Sequence, residues 1–309
     1  VTGPRVPTAL LESLKTLAAD AIGQRLRAVT GSTASLQDFA QPAGDRGLFG
    51  PESMAWRVHD HFAAMMVGGL SSLMVQALHP RALAAVWDHS DFRHDLKGRL
   101  GRTAYFVAAT TYGGQAQALR TIERVNTIHA RVAGVDQQGQ PYVANEPHLI
   151  RWVHLVEVTS FLAAYQHLSR SPLSAAECDQ YIAEMTQIGH LLGAEDLPTT
   201  LRDSEQALAA YRDELAFDAR TREIMQVIES YPVDGWDQPF MAMVLQAAFD
   251  VMPAWALGLL HKTPVCALQQ QALRRALQAG AEPVQWMLGR QGVAATARRR
   301  VQGVAHSAV

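Results

Sequence analysis

His129 is the residue whose type and setting most suggest chemistry. At helical spacing Leu119, Ile122, Val125, His129 and Val132 fall on one stripe, so the imidazole is expected to point into the core. There it could ligate a metal; the plainer alternative is a core histidine bonded to a backbone carbonyl. Just upstream, Arg99, Arg102 and Thr103 are three and four residues apart and share one helix face. That face could hold an anionic group or polarise oxygen, or it could form an ion-pair network with acids elsewhere. His154 and Glu157, three apart, can share a face beside Trp152, where a structural histidine is the simpler reading. His79, before Pro80, sits at a helix end, where it could cap its own helix or face a cofactor cavity. His59 and His61 are two apart and point to different faces.

A lone inward histidine on an apolar stripe suits haem iron better than a mononuclear site, which needs two or three more ligands at matched spacing. Nine of the 12 histidines lie between His59 and His167, which adds mild support for a metal or acid-base site. Cys178 and Cys266 are far apart and in no ligand spacing, which argues against zinc ribbons, iron–sulfur clusters and disulfide scaffolds.

These residues need helices to position them, and the chain supplies the pattern. An amphipathic helix is expected over 8–29 and a loop over 30–50. A long helix is expected from Glu52 to Leu78, buried on all sides in its second half and stopped at His79-Pro80. Shorter spans follow: Arg81–Trp87, then Phe92–Thr111 with Ser90 or Asp91 as N-cap, then Gln115–Ala133 carrying His129. Asp136 to Gln140 reads as a turn or small hairpin. Asn145 caps a helix over Glu146–Leu168. Ser174 and Glu177 form a capping box for a helix to Leu192, closed by Gly193. Thr200 or Ser204 opens another, to Phe217. The 230s read as loop, Asp237–Leu260 as apolar and broken at Pro253, and Thr263 or Pro264 as the start of a last long helix to Leu288. The expectation is all-α, a single large helical domain over 1–309, with no internal repeat.

Composition sets outer bounds. Hydrophobic residues make up 48% of 309, enough for a sizeable core, and a net charge of -2 argues against a nucleic-acid partner. No secretory signal is read at the start, and the uncharged run Ala63–Leu78 is too short and too polar for a membrane span. A cytoplasmic protein is expected, and a homo-oligomer stays open. From Gln270 onward, Arg274, Arg275, Arg290, Arg298, Arg299 and Arg300 stand against Glu282 alone. Such a tail is expected to be a solvated helix face and frayed end, the alternative being a dock for an anionic partner.

Several short motifs occur in order: Gly47-Leu48-Phe49-Gly50-Pro51-Glu52-Ser53, Trp56-Arg57-Val58-His59, Gln76-Ala77-Leu78-His79-Pro80, His89-Ser90-Asp91-Phe92, Arg99-Leu100-Gly101-Arg102-Thr103, His129-Ala130-Arg131-Val132-Ala133-Gly134, Tyr142-Val143-Ala144 and Trp152-Val153-His154. The series resembles the oxygenase family of latex clearing protein (rubber oxygenase) and the fungal oxygenase MpaB, in its bacterial branch. The resemblance covers about 45–220, leaving 221–300 as a helical extension. It implies a globin-like core binding haem b, with His129 as the iron's proximal ligand; His79 and His154 are expected as further cofactor-binding residues. It also implies dioxygen and a small apolar, isoprenoid-like substrate as partners. The family's distal Arg-x-x-Lys-Thr cluster maps onto Arg99, Arg102 and Thr103, with arginine in place of lysine. Arginine stays charged and does not ligate iron, so Arg102 is expected to act as a cationic donor. Two other readings stay open: a haem or small-ligand carrier or sensor without turnover, and a non-haem iron enzyme using His79, His129 and His154.

Overall fold

The run expected as one helix from Glu52 to Leu78 is two helices, α1 (Met54–His59) and α2 (Phe62–Gln76), in the computed structural model, which describes residues 35–230 and 238–303. A break inside an apolar run frees backbone groups that need partners. The Gln285 side-chain amide supplies them, accepting from Phe62 N at 2.8 Å and donating to Asp60 O at 2.7 Å. The His61 ring takes the next free N–H, that of Ala64. Past the break, α2 is buried on nearly every side, as its composition requires. It runs in backbone contact with α6 (Pro147–Leu168). A Cβ on Gly68 would stand 2.9 Å from Phe161 Cα and from Ser160 O, so only glycine lets the two helices meet here.

Around this pair the chain places α3 (Pro80–His89), α4 (Leu96–Tyr112), α5 (Gln115–His129) and a hairpin of β1 (Ala133–Val135) and β2 (Pro141–Val143), antiparallel with Ala133 opposite Val143. After α6 come α7 (Ala175–Leu192), α8 (Leu201–Ala210), a 3-10 turn at Arg212–Glu214 and α9 (Ala219–Glu229). The last helices are α10 (Gln238–Asp250), α11 (Ala254–Leu259), α12 (Ala267–Gln291) and α13 (Val293–Val301). The fold is all-α, with the hairpin as the sole sheet among the described residues.

Local signals placed several ends correctly. The Ser174–Glu177 capping box opens α7, Gly193 closes it in the left-handed conformation, and Thr200 caps α8. Other ends moved. Asp95, not Ser90 or Asp91, caps α4 by accepting from Gly98 N at 2.8 Å. The helix expected to reach Phe217 stops at Ala210, and Asp218 starts α9 with its own capping box. The expected helix over 8–29 and the loop of the 230s lie outside the described residues.

The basic C-terminal stretch is a solvated face only in part: Arg275 and Arg290 are exposed, but the other arginines are not. Arg300 is buried, with Nε donating to Asp45 O at 2.9 Å and Nη1 to Phe39 O at 3.0 Å. Arg298 pairs with Asp60 at 2.8 Å, and Arg274 donates to Ser169 O. Arg298 and Arg300 seat α13 against Phe39, Trp56 and Tyr112, while Arg274 ties α12 to the end of α6. No single helix among the described residues is long and apolar enough to cross a membrane; α2 and α3 pass together on composition but are bent by 104°.

Candidate active site

Seven helices border one cavity, α1 and α2 through His59 and Gln76. α3 contributes Val86, α4 Arg99 and Phe106, α5 His129, α6 His154 and Glu157, and α7 Met185. The cavity has a volume of about 170 Å³, smaller than the roughly 300–1,000 Å³ usual for ligand and cofactor pockets. Its walls are mostly apolar, so the few polar groups facing it stand out.

His129 is fixed from both sides. It is the last residue of α5, and Asn126 ties that helix to the end of α7 through Leu191 O at 2.9 Å. The hairpin begins four residues later and is pinned beneath α3 by Tyr142, whose hydroxyl donates to Asp88 Oδ2 at 3.0 Å. Burial, then the Asp88 carboxylate, pushes the Tyr142 hydroxyl up to about 12, so it remains a donor. Gly134 lies directly under that ring; a Cβ there would stand 2.6 Å from the hydroxyl. The expected apolar stripe is only partly realised. Ile122 is buried, Val125 and His129 are half-buried, and Leu119 is exposed, because α5 is covered on one side only.

The polar groups of the cavity share a shortage of partners. His129 Nδ1 is sealed from solvent with no hydrogen-bond partner among the described residues. Burial lowers the His129 pKa, so the ring is neutral at neutral pH. His154 is buried and held down to about 4 by burial and, secondarily, by His190. Its ring lies against the α7 backbone, where a Cβ on Gly189 would come within 3.0 Å of Nε2. Glu157 is pushed up to about 7 by burial alone, with no cation to offset it. Arg99 is drawn down to about 10 by burial and then by Arg102, and remains a cation; its guanidinium reaches Ser90 Oγ at 3.3 Å. His59 also borders the cavity, but both its nitrogens are engaged, with Thr111 Oγ1 at 2.8 Å and the Tyr181 hydroxyl at 3.0 Å. Burial holds it down to about 3, and it reads as a structural histidine.

Of the residues singled out in the sequence, Arg99, His129 and His154 come together at this cavity. Arg102, Thr103 and His79 do not line it. Arg102 is 65% exposed and leans back to Asp95, the cap of its own helix, at 3.5 Å. The exposed Thr103 hydroxyl donates to Arg99 O, one turn back. His79 is buried elsewhere, against Trp152 and Tyr211. It does not cap α2 either: the last carbonyls of that stretch accept from Trp152 Nε1, Thr221 Oγ1 and Ala216 N. The set His79, His129 and His154 is therefore not assembled as a non-haem iron site. Glu157 also faces the cavity, and one sequence signal marks it: a carboxylate one turn from His154 in a helix otherwise rich in buried apolar residues.

A family model for the catalytic domain of the ER-bound oxygenases mpaB/B′ and rubber oxygenase matches residues 56–299. The chain belongs to this family. The match runs from α1 into α13 and takes in every element that walls the cavity. As a member of the mpaB and rubber oxygenase family, it carries an oxygenase catalytic domain, an oxidoreductase type of activity. No curated protein and no solved structure matches the chain.

Proposed function

We propose that this chain is a haem b-dependent oxygenase acting on a small apolar substrate, with His129 as the ligand to iron. One observation carries the reading: a neutral imidazole with an orphaned, solvent-shielded ring nitrogen borders an apolar cavity in an oxygenase catalytic domain. The residues present fit the group. Haem needs a neutral histidine, apolar walls and a cation for its carboxylates or for negative charge arising in the reaction, and His129, the aliphatic lining and Arg99 match those needs. When bound, haem would supply the activation of dioxygen.

The chain's own side chains do the rest. Val86, Phe106, Val153 and Val158 exclude water and favour an apolar substrate. The family's rubber oxygenase supports an isoprenoid-like class. Arg99, already desolvated, stabilises negative charge in the cavity without reorganising. Glu157, with its carboxyl near 7, can give or take a proton at neutral pH.

The test is an absorption spectrum of the purified protein before and after reduction and carbon monoxide, together with haem content in His129→Ala. A Soret band that shifts with carbon monoxide, and haem loading cut at least tenfold in the variant, are expected. A featureless spectrum after haem is added back, or unchanged loading in the variant, would overturn the proposal. Haem without any oxygen-dependent product from apolar alkenes would instead mark a carrier or sensor.

A further inference from the structure

We propose that His79, His148 and Glu214 form a second site, separate from the cavity, that binds a divalent transition-metal ion of the zinc class. Three different elements converge there. His79 precedes Pro80 at the start of α3, His148 lies in the first turn of α6 behind Pro147, and Glu214 ends the 3-10 turn. Both helix starts are fixed by a proline, so the two imidazoles are held by stiff backbone.

The ligand atoms already cluster. His148 Nε2 stands 2.9 Å from each Glu214 carboxylate oxygen, and His79 Nε2 stands 3.3 Å from Glu214 Oε2. One ligand atom from each residue lies within 4.8 Å of the other two. Tetrahedral coordination at about 2.0–2.1 Å places ligand atoms about 3.3 Å apart, so little movement is needed.

His79 is the second, independent observation. It is 1% exposed, yet neither ring nitrogen has an aligned hydrogen bond among the described residues. The contact with Glu214 is close enough for an ion pair but not aligned as a hydrogen bond. Leaving a buried imidazole unbonded is unfavourable unless something else engages it. A metal ion would. Trp152 and Tyr211 pack the His79 ring, and the Tyr211 hydroxyl donates to His148 O at 2.9 Å, bracing the site. His148 and Glu214 are open to solvent, which gives an entry path and leaves coordination positions for water. Two imidazoles and one carboxylate with open positions suit zinc or another exchangeable divalent ion rather than calcium or magnesium.

Binding would fasten the starts of α3 and α6, two walls of the cavity, to the 3-10 turn. The test uses the purified full chain with its native cofactor, stripped of loose metal by a chelator. It is then titrated with Zn²⁺ by calorimetry and with Co²⁺ by its visible absorption. One equivalent of Zn²⁺, a raised Tm, and at least tenfold weaker binding in both His148→Ala and Glu214→Ala are expected. Both substitutions are at solvent-open positions, where folding is not at risk. No stoichiometric binding, or binding unchanged in both variants, would overturn the site. The Soret region serves as the control: it should be the same in all three proteins, so failure here is separable from failure of the haem reading.

Discussion

Two arginines taken out of water, Arg300 and Arg99, are used in opposite ways. Arg300 donates from Nε and Nη1 to two backbone carbonyls and sits in a closed corner of the fold. Arg99 reaches one serine hydroxyl at 3.3 Å and otherwise faces a cavity that also holds Glu157 and His129. Desolvating a cation is costly, and the protein recovers part of that cost at Arg300 with two hydrogen bonds, leaving Nη2 without a partner among the described residues. At Arg99 little within the chain recovers it. A buried charge anchored to backbone carbonyls in a closed corner is structural. One whose bonding capacity is held open toward a cavity is available to a ligand.

The contrast can be broken by substitution. Arg300→Met should show the largest effect, a loss of roughly 3–5 kcal/mol in urea unfolding, because two buried carbonyls lose charged donors. Activity per folded molecule should stay near wild type. Arg99→Met should do the reverse, lowering turnover about 100-fold with stability changed little, while Arg102→Ala, at an exposed residue, changes turnover less than about twofold. If Arg300→Met and Arg99→Met lower turnover per folded molecule alike, the distinction fails.

A stability difference between two pH values sharpens the comparison. Burial raises the Glu157 pKa from 4.5 to about 7, so the fold disfavours the ionised form. The stability tied to the neutral carboxyl is fully present below pH 4.5 and is lost as pH rises through about 7. Glu157→Gln should therefore match wild type at pH 4.5 and exceed it at pH 8 by roughly 2 kcal/mol, discounted for water in the cavity. Equal stability at both pH values would mean that Glu157 is matched by a partner and is not available for proton transfer.

What the sequence disclosed was local. A capping box, a proline that stops a helix and a glycine at a helix end act within one turn, and Ser174, Pro80 and Gly193 were legible for that reason. The stripe pointed His129 toward the side of α5 where the cavity lies, with Arg99 and His154 beside it, though Leu119 of the same stripe is exposed. The break at Asp60 was not legible, because the amide that permits it belongs to Gln285. Helical spacing placed Arg102 and Thr103 near Arg99, but spacing cannot say which part of a face its neighbours will cover. Neither place open to His79, a helix cap or the cavity, is the one it takes, since Glu214 and His148 are distant in the chain. Arg300 was hidden in a basic run that resembles any solvated tail.

Gln285, Arg298 and Arg300 also constrain the order of events during synthesis. Each completes a group near the beginning of the described chain: the backbone at Asp60 and Phe62, the Asp60 carboxylate, and the carbonyls of Phe39 and Asp45. A nascent chain that has emerged only through α9 has the cavity-forming helices but lacks the groups that close the α1–α2 joint. Contacts spanning more than 200 residues are slow to form and leave early segments waiting. The catalytic half is thus expected to consolidate only when the final helices leave the ribosome.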